Sequence, residues 1–195
     1  MTLRQELSSW AFPTPLSTSP VPSIGSRAPS SSKLPIPACN GKATIVTFLR
    51  HCGCPFAEKT FLSLRTTASA HPEISCVAVS HSDQAATDKW LESVGGAGDV
   101  QIVVDPDREV YAQWGLGISN FWHVLSPWSM WSVYKLGKEE GIWNRPTESG
   151  SRWQTSGSFA IDEDEVVTWG EASPSADWIP DFGEALETLE REKKH

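Results

Sequence analysis

The stretch KATIVTFLRHCGCPFAEKTFLSLR, residues 42–65, changes period in its middle. Ala43 to Leu49 is a nearly continuous run of β-branched and apolar residues, as expected of a strand buried on both faces. From Pro55 onward Ala57, Phe61, Leu64 and Ala68 recur at helical spacing, and proline suits the first position of a helix. Between the two lie Arg50, His51, Cys52, Gly53 and Cys54, so two of the four cysteines sit where a strand hands over to a helix.

The alternation continues on the C-terminal side. Ile74 to Val79 reads as a second buried strand, Asp83 to Val94 as an amphipathic helix closed by Gly95-Gly96, and Val100 to Val104 as a third strand. Asp105-Pro106-Asp107 then starts a short helix over REVYAQWG. Gly157 to Asp162 and Val166 to Trp169 form an expected hairpin, and Ile179 to Lys193 a closing helix. This order predicts an α/β fold of the thioredoxin-like pattern, a central mixed sheet flanked by helices, parallel in its middle with an antiparallel edge. Residues 1–23 read as a Pro/Ser-rich arm, although Trp10, Phe12 and Ile24 are costly to leave in water. Residues 24–195 read as one domain that includes an insert at 117–156. There Ser119 to Leu136 could be helix, broken near Pro127, and Gly141 to Ser151 an irregular loop.

Composition narrows the function classes. A chain of 195 residues with 39% apolar residues and 10 Trp can fill one sizeable core. A net charge of -8, without a basic patch, argues against nucleic acid or an anionic membrane as partner. The one cluster, Arg191 to Lys194, sits among glutamates. No stretch approaches the roughly 20 apolar residues of a membrane span, and the N-terminus lacks the apolar core of a signal peptide, so a cytoplasmic location is expected. Two cysteines one residue apart do not suggest a secreted disulfide framework; the thiols are expected to be reduced.

At a helix N-cap ahead of Pro55, the Cys54 sulfur would face unpaired amides and the positive end of the helix dipole, which favours thiolate. Arg50 and His51 are the local groups that could add positive charge. The plainer alternative, a small buried hydrophobe, is preferred for Cys39 and for Cys76 inside the apolar strand ISCVAV. Cys52 has two readings. A Cys-x-Cys disulfide with Cys54 would be strained and oxidising; otherwise Cys52 points into the core, opposite Cys54. His-Cys-Gly-Cys also supplies three metal ligands, but no second Cys/His pair follows at zinc spacing, so no metal and no bound cofactor is expected.

With these motifs in place, the chain resembles the AhpC/TSA peroxiredoxin-like branch of the thioredoxin superfamily. It is most similar to divergent fungal-type members that carry Arg-His ahead of a Cys-x-x-Cys. IGSRAP (24–29), VDPDREVYAQWGL (104–116) and GSFAIDEDEVVTWG (157–170) are similar to successive segments of that family. The resemblance implies a thiol oxidoreductase acting on peroxides or disulfides through Cys54, with glutathione or thioredoxin as external reductant. It also places Arg152 or Arg145 near the thiol, where a guanidinium would stabilise negative charge. Two departures bear on this. The second cysteine of Cys-x-x-Cys is Ala57, which cannot resolve an oxidised Cys54. The family's Thr or Ser three residues ahead of the reactive cysteine is His51, which could donate a hydrogen bond or carry a proton.

The insert, NFWHVLSPWSMWSVYKLG, is too aromatic for an ordinary surface helix, so it should pack against the domain, a ligand, or a second subunit as in a homodimer. Pro55, Trp122, Trp128, Trp131, Trp153 and Thr155 are the candidate substrate contacts. Two functions follow: a one-cysteine peroxidase or disulfide reductase, or a non-redox enzyme or binding protein that holds an aromatic metabolite in a Trp-rich pocket.

Overall fold

A computed structural model describes residues 3–37, 41–120, 122, 124 and 127–192. Cys39, Phe121, Lys193 and Lys194 lie outside the described residues. Five strands form one mixed sheet, β1 (Thr44–Phe48), β2 (Ser75–Ser80), β3 (Gln101–Val104), β4 (Gly157–Ile161) and β5 (Val167–Ala172), in the order β3-β2-β1-β4-β5. β1, β2 and β3 run parallel, β4 lies antiparallel to β1, and β5 antiparallel to β4. The helices are α1 (Leu3–Ser9), α2 (Pro55–Ala70), α3 (Gln84–Ser93), α4 (Glu109–Gln113), α5 (Pro127–Glu140) and α6 (Phe182–Glu192). This is the expected thioredoxin-like α/β fold. α1 was not expected in the N-terminal arm, and Pro127 starts a helix where a break was expected.

Because successive strand residues point to opposite faces, β1 feeds two cores. Ile45 joins Cys76, Ala78 and Ala160 against Phe61 and Leu64 of α2 and Ala185 and Leu189 of α6. Val46 and Phe48 join Val77, Val79, Phe159 and Ile161 against Tyr111, Trp114 and Leu116 on the other face.

Two linked sets of hydrogen bonds, at Asp105 and at the Tyr111 hydroxyl, position the hand-over from β1 to α2. Buried Asp105 accepts hydrogen bonds from the amides of Val110 (2.8 Å) and Tyr111 (3.3 Å) and from Lys33 (3.0 Å), which orients α4. The Tyr111 hydroxyl then reaches the carbonyls of Leu49 (2.6 Å) and Val79 (2.8 Å), tying the ends of β1 and β2 together one residue before Arg50. The segment resembling the family's Asp-Pro motif thus sets where the site loop leaves the sheet.

Of the surfaces expected to receive the aromatic insert, the domain itself does not take the indoles of Trp122, Trp128 and Trp131. On α5, Ser129, Val133, Leu136 and Gly137 form the inner stripe, and a Cβ on Gly137 would lie 2.5 Å from the Trp143 ring. The bulky residues take the outer stripe: Trp128 is 78% and Trp131 61% exposed, and Trp122, just upstream, is 72% exposed. Inward-facing serines anchor the helix instead, Ser132 donating to Asp177 at 2.7 Å, while Lys59 of α2 pairs with Glu140. Among the described residues no helix is long and apolar enough to cross a membrane.

Candidate active site

Cys54 occupies the N-cap of α2 with extended backbone (φ -83°, ψ 126°), and Pro55 opens the helix. Its side chain makes no capping bond, so the sulfur is left to other partners. The partner present is Arg50: Nη1 lies 3.7 Å from Sγ and also donates to the carbonyl of Ala176 (3.3 Å), while Nη2 donates to the carbonyl of Arg152 (2.7 Å). Arg50 and Cys54 are both buried, and among the described residues Arg50 Nε has no hydrogen-bond partner. A guanidinium fixed by two backbone carbonyls is a preorganised cation, held at the sulfur with no side-chain carboxylate paired to it among the described residues.

His51 is not the second cation the sequence suggested. It is buried, and burial first, then the charge of Arg50, holds its pKa well below the ordinary value, so the ring is neutral. Nδ1 accepts from the Gly53 amide (3.2 Å) and meets the Thr147 hydroxyl (3.1 Å), which leaves the ring proton on Nε2. Thr147 was not anticipated from sequence. It arrives from a loop nearly a hundred positions downstream, and no local pattern marks it.

Gly53 has a steric reason to be glycine. The loop at 145–147 crosses so closely that a Cβ there would stand 2.5 Å from both the Arg145 carbonyl oxygen and Thr147 Oγ1, and Arg145 N donates to Gly53 O at 3.0 Å. Gly53→Ala is therefore expected to cost about 1–3 kcal/mol and to push this loop off His51, read as a lower urea midpoint in equilibrium unfolding.

The two neighbouring thiols part company. Cys54 opens on a cleft of about 160 Å³ whose wall includes Arg50, His51, Phe56, Met130 and Val133, with Trp10 and Arg152. Cys52 lines a separate cavity of about 180 Å³ with Trp90, Lys89 and Arg145. Its sulfur lies 3.6 Å from the Ser80 hydroxyl, and burial pushes its thiol pKa up against hydrogen bonds from Ser82, Ser80 and Thr87. Both sulfurs are free thiols, as is Cys76, which burial pushes up to about 12. With the sulfurs in different cavities, His51, Cys52 and Cys54 do not converge on one point, and no metal-binding cluster occurs among the described residues.

The remaining candidates separate likewise. Arg145 forms a two-pronged ion pair with buried Glu58 (2.7 and 2.9 Å) and lies on the Cys52 side, not at the Cys54 sulfur. Arg152 reaches the Cys54 cleft, but its guanidinium is taken by Glu6, Ser9 Oγ (3.0 Å) and Thr147 Oγ1 (3.1 Å). Pro55 lines the cleft. Trp128 and Trp131 do not, because α5 turns them outward, and neither does Trp122, which lies exposed upstream of α5. Trp153 is buried beneath the arm, stacked on Phe12 with centroids 4.3 Å apart, and donates to the Trp10 carbonyl at 2.9 Å. Thr155 pairs through its amide with Gly117 O (3.0 Å), away from the cleft.

Comparison with known proteins agrees with this architecture. A peroxiredoxin-like protein from Aquifex aeolicus superposes with a TM-score of 0.60 at 14% identity, covering 89% of this chain and 90% of the other. A thiol peroxidase from Chromobacterium violaceum gives 0.59 at 13% identity, with 91% of each chain covered. A peroxidoxin from Mycobacterium tuberculosis gives 0.56 at 17% identity, covering 87% and 97%. At these identities the likeness is one of fold. No curated protein sequence matches the chain. The model of the AhpC/TSA antioxidant enzyme family matches residues 62–173, beginning just beyond Cys54. With over half of the chain matched and the sheet order and helix-start cysteine described above, this protein belongs to the AhpC/TSA antioxidant enzyme family.

Proposed function

We propose that the protein is a thiol peroxidase with Cys54 as its single nucleophile. The observation that carries this is Arg50 Nη1 at 3.7 Å from the Cys54 sulfur, at a helix N-cap that opens on a cleft. The Cys54 thiolate attacks one oxygen of a hydroperoxide. An S–O bond forms, the O–O bond breaks, and the leaving alkoxide or hydroxide takes up a proton to give an alcohol or water. Arg50 stabilises charge on sulfur before the step and on the departing oxygen during it. Neutral His51, with its proton on Nε2, serves as a hydrogen-bond donor on the cleft wall.

The product is a Cys54 sulfenic acid. Ala57 offers no thiol on the same helix face, and Cys52 lies in another cavity, so resolution falls to an external thiol such as glutathione or thioredoxin. One thiol displaces hydroxide from the sulfenic sulfur to give a mixed disulfide and water; a second thiol releases Cys54 and leaves the reductant oxidised. A reducing compartment, consistent with three free thiols, suits this cycle.

The apolar part of the cleft wall, from Phe56, Met130 and Val133, favours an organic hydroperoxide over hydrogen peroxide. Stopped-flow oxidation of the reduced protein by each peroxide, with a sulfenic-acid probe mapped by peptide mass, tests the reading. One equivalent of probe on Cys54 is expected, with the organic peroxide faster. Probe on Cys52 alone, or no oxidation by either peroxide, rules it out.

A further inference from the structure

The N-terminal segment sits on the Cys54 site through a carboxylate. One oxygen of Glu6 pairs with Arg152 Nη2, and the other accepts the Thr147 amide at 3.0 Å. The same guanidinium donates to Ser9 Oγ and lies under the Trp10 ring, 4.7 Å from its centroid. Ser9 O accepts the Arg152 amide at 3.0 Å. Trp10 and Arg152 both contribute to the wall of the cleft that holds Cys54. A short chain segment thus fills a cradle whose two donors each take one oxygen of a carboxylate, and the segment's own indole walls the cleft beside it.

We propose that Arg152 and the Thr147 amide form a carboxylate subsite of the Cys54 site, occupied at rest by Glu6 as a built-in stand-in for a ligand. The physical case is threefold. Charge-assisted donation from a guanidinium and a backbone amide to separate oxygens is specific for a planar anion. With the segment docked the Arg152 side chain is only 13% exposed, so its pair with the Glu6 carboxylate is sheltered from water and is not an ordinary surface ion pair. A seven-residue helix is too short to be stable alone, so α1 holds its shape only while docked and can be displaced. The ligand class follows: a compact molecule with a carboxylate and, within reach of Cys54, a hydroperoxide or a thiol.

This inference rests on Cys54 as the reactive thiol, and the test separates the two. Cys54 alkylation by iodoacetate and by iodoacetamide, reagents that differ in the carboxylate, is followed by peptide mass at pH 7. Sγ displaces iodide in both cases and the thiol proton goes to buffer. Glu6→Gln is expected to raise the iodoacetate-to-iodoacetamide rate ratio about tenfold over wild type, the size of one charge-assisted contact, and Arg152→Gln in that background to remove the gain. Trp10→Ala, which loosens the same segment, must move the ratio in the same direction if Glu6→Gln does not fold.

Equal acceleration of both reagents makes the segment a plain cover and overturns the subsite. An unchanged ratio makes the Glu6 pair purely structural and also overturns it. Failure of iodoacetamide to label Cys54 in any variant counts instead against the nucleophile assigned above. Mercaptoacetate against mercaptoethanol as reductant of the sulfenic acid, and a carboxylated alkyl hydroperoxide against its methyl ester as oxidant, then decide the source. A carboxylate preference in the first pair makes the subsite's ligand the reductant, and in the second the substrate.

Discussion

Cys54→Ser is expected to lower hydroperoxide consumption by roughly 10³-fold or more, while Cys52→Ser leaves it within about threefold. A serine hydroxyl is not ionised at neutral pH and cannot form a sulfenic acid, so neither the attack nor the redox cycle survives. The contrast with Cys52 comes from surroundings, since the two thiols are one residue apart. Arg50 donates to Cys54, at a helix start and on a cleft, whereas Cys52 lies against the Ser80 and Thr87 hydroxyls and burial keeps it protonated. NADPH-coupled turnover of both variants under one reductant makes the comparison. Equal loss in the two variants would mean that Cys52 takes part in the cycle, and the single-nucleophile reading would be wrong.

The second large effect is on stability in acid. His81 is fully enclosed, with Nε2 3.1 Å from both the amide and the carbonyl of Ser151 and its ring edge-on to Tyr111 at 5.3 Å. Burial, the dominant cause, lowers its pKa to about 4, and the charges of Arg108 and Arg50 act in the same direction. The unfolded chain protonates this histidine near 6.5, so between pH 6.5 and 4 the unfolded state binds the extra proton and the folded state loses stability as pH falls. The loss from His81 alone reaches about 3 kcal/mol at pH 4, and His51, also held neutral by burial, adds to it in the same direction. Urea unfolding across this range should show a slope of about one proton or more, and His81→Gln should remove about one. A slope that His81→Gln leaves unchanged would show that carboxylates, not the buried histidine, govern the acid limb.

Much of the fold was legible because its signals are local. The runs at 43–49 and 74–79 read as doubly buried strands from β-branched content alone, and they pair in parallel as β1 and β2. Asp83 was read as the start of a helix and caps α3, accepting the Ala86 amide at 2.8 Å. The insert was harder. Its aromatic count pointed to packing, yet helix phase decides which side faces in, and the stripe of Ser129, Val133, Leu136 and Gly137 against the body sends the indoles outward. The arm at 1–23 showed no apolar period, and α1 exists there because Glu6, Ser9 and Trp10 find partners on Arg152, Thr147 and Trp153.

By itself the sequence determined that a strand ends within a residue of Leu49 (it ends at Phe48), that a helix starts at Pro55, and that Cys54 sits between them, because backbone preference and proline geometry act over a few residues. Only the tertiary structure decided which way each sulfur faces, which arginine reaches Cys54 and which is claimed by Glu58 or Glu6, and that Gly53 must lack a side chain. The last of these depends on the loop at 145–147, nearly a hundred residues away, crossing the helix start, and the arginine partners depend on chain segments equally remote in sequence; no spacing along the chain encodes those approaches.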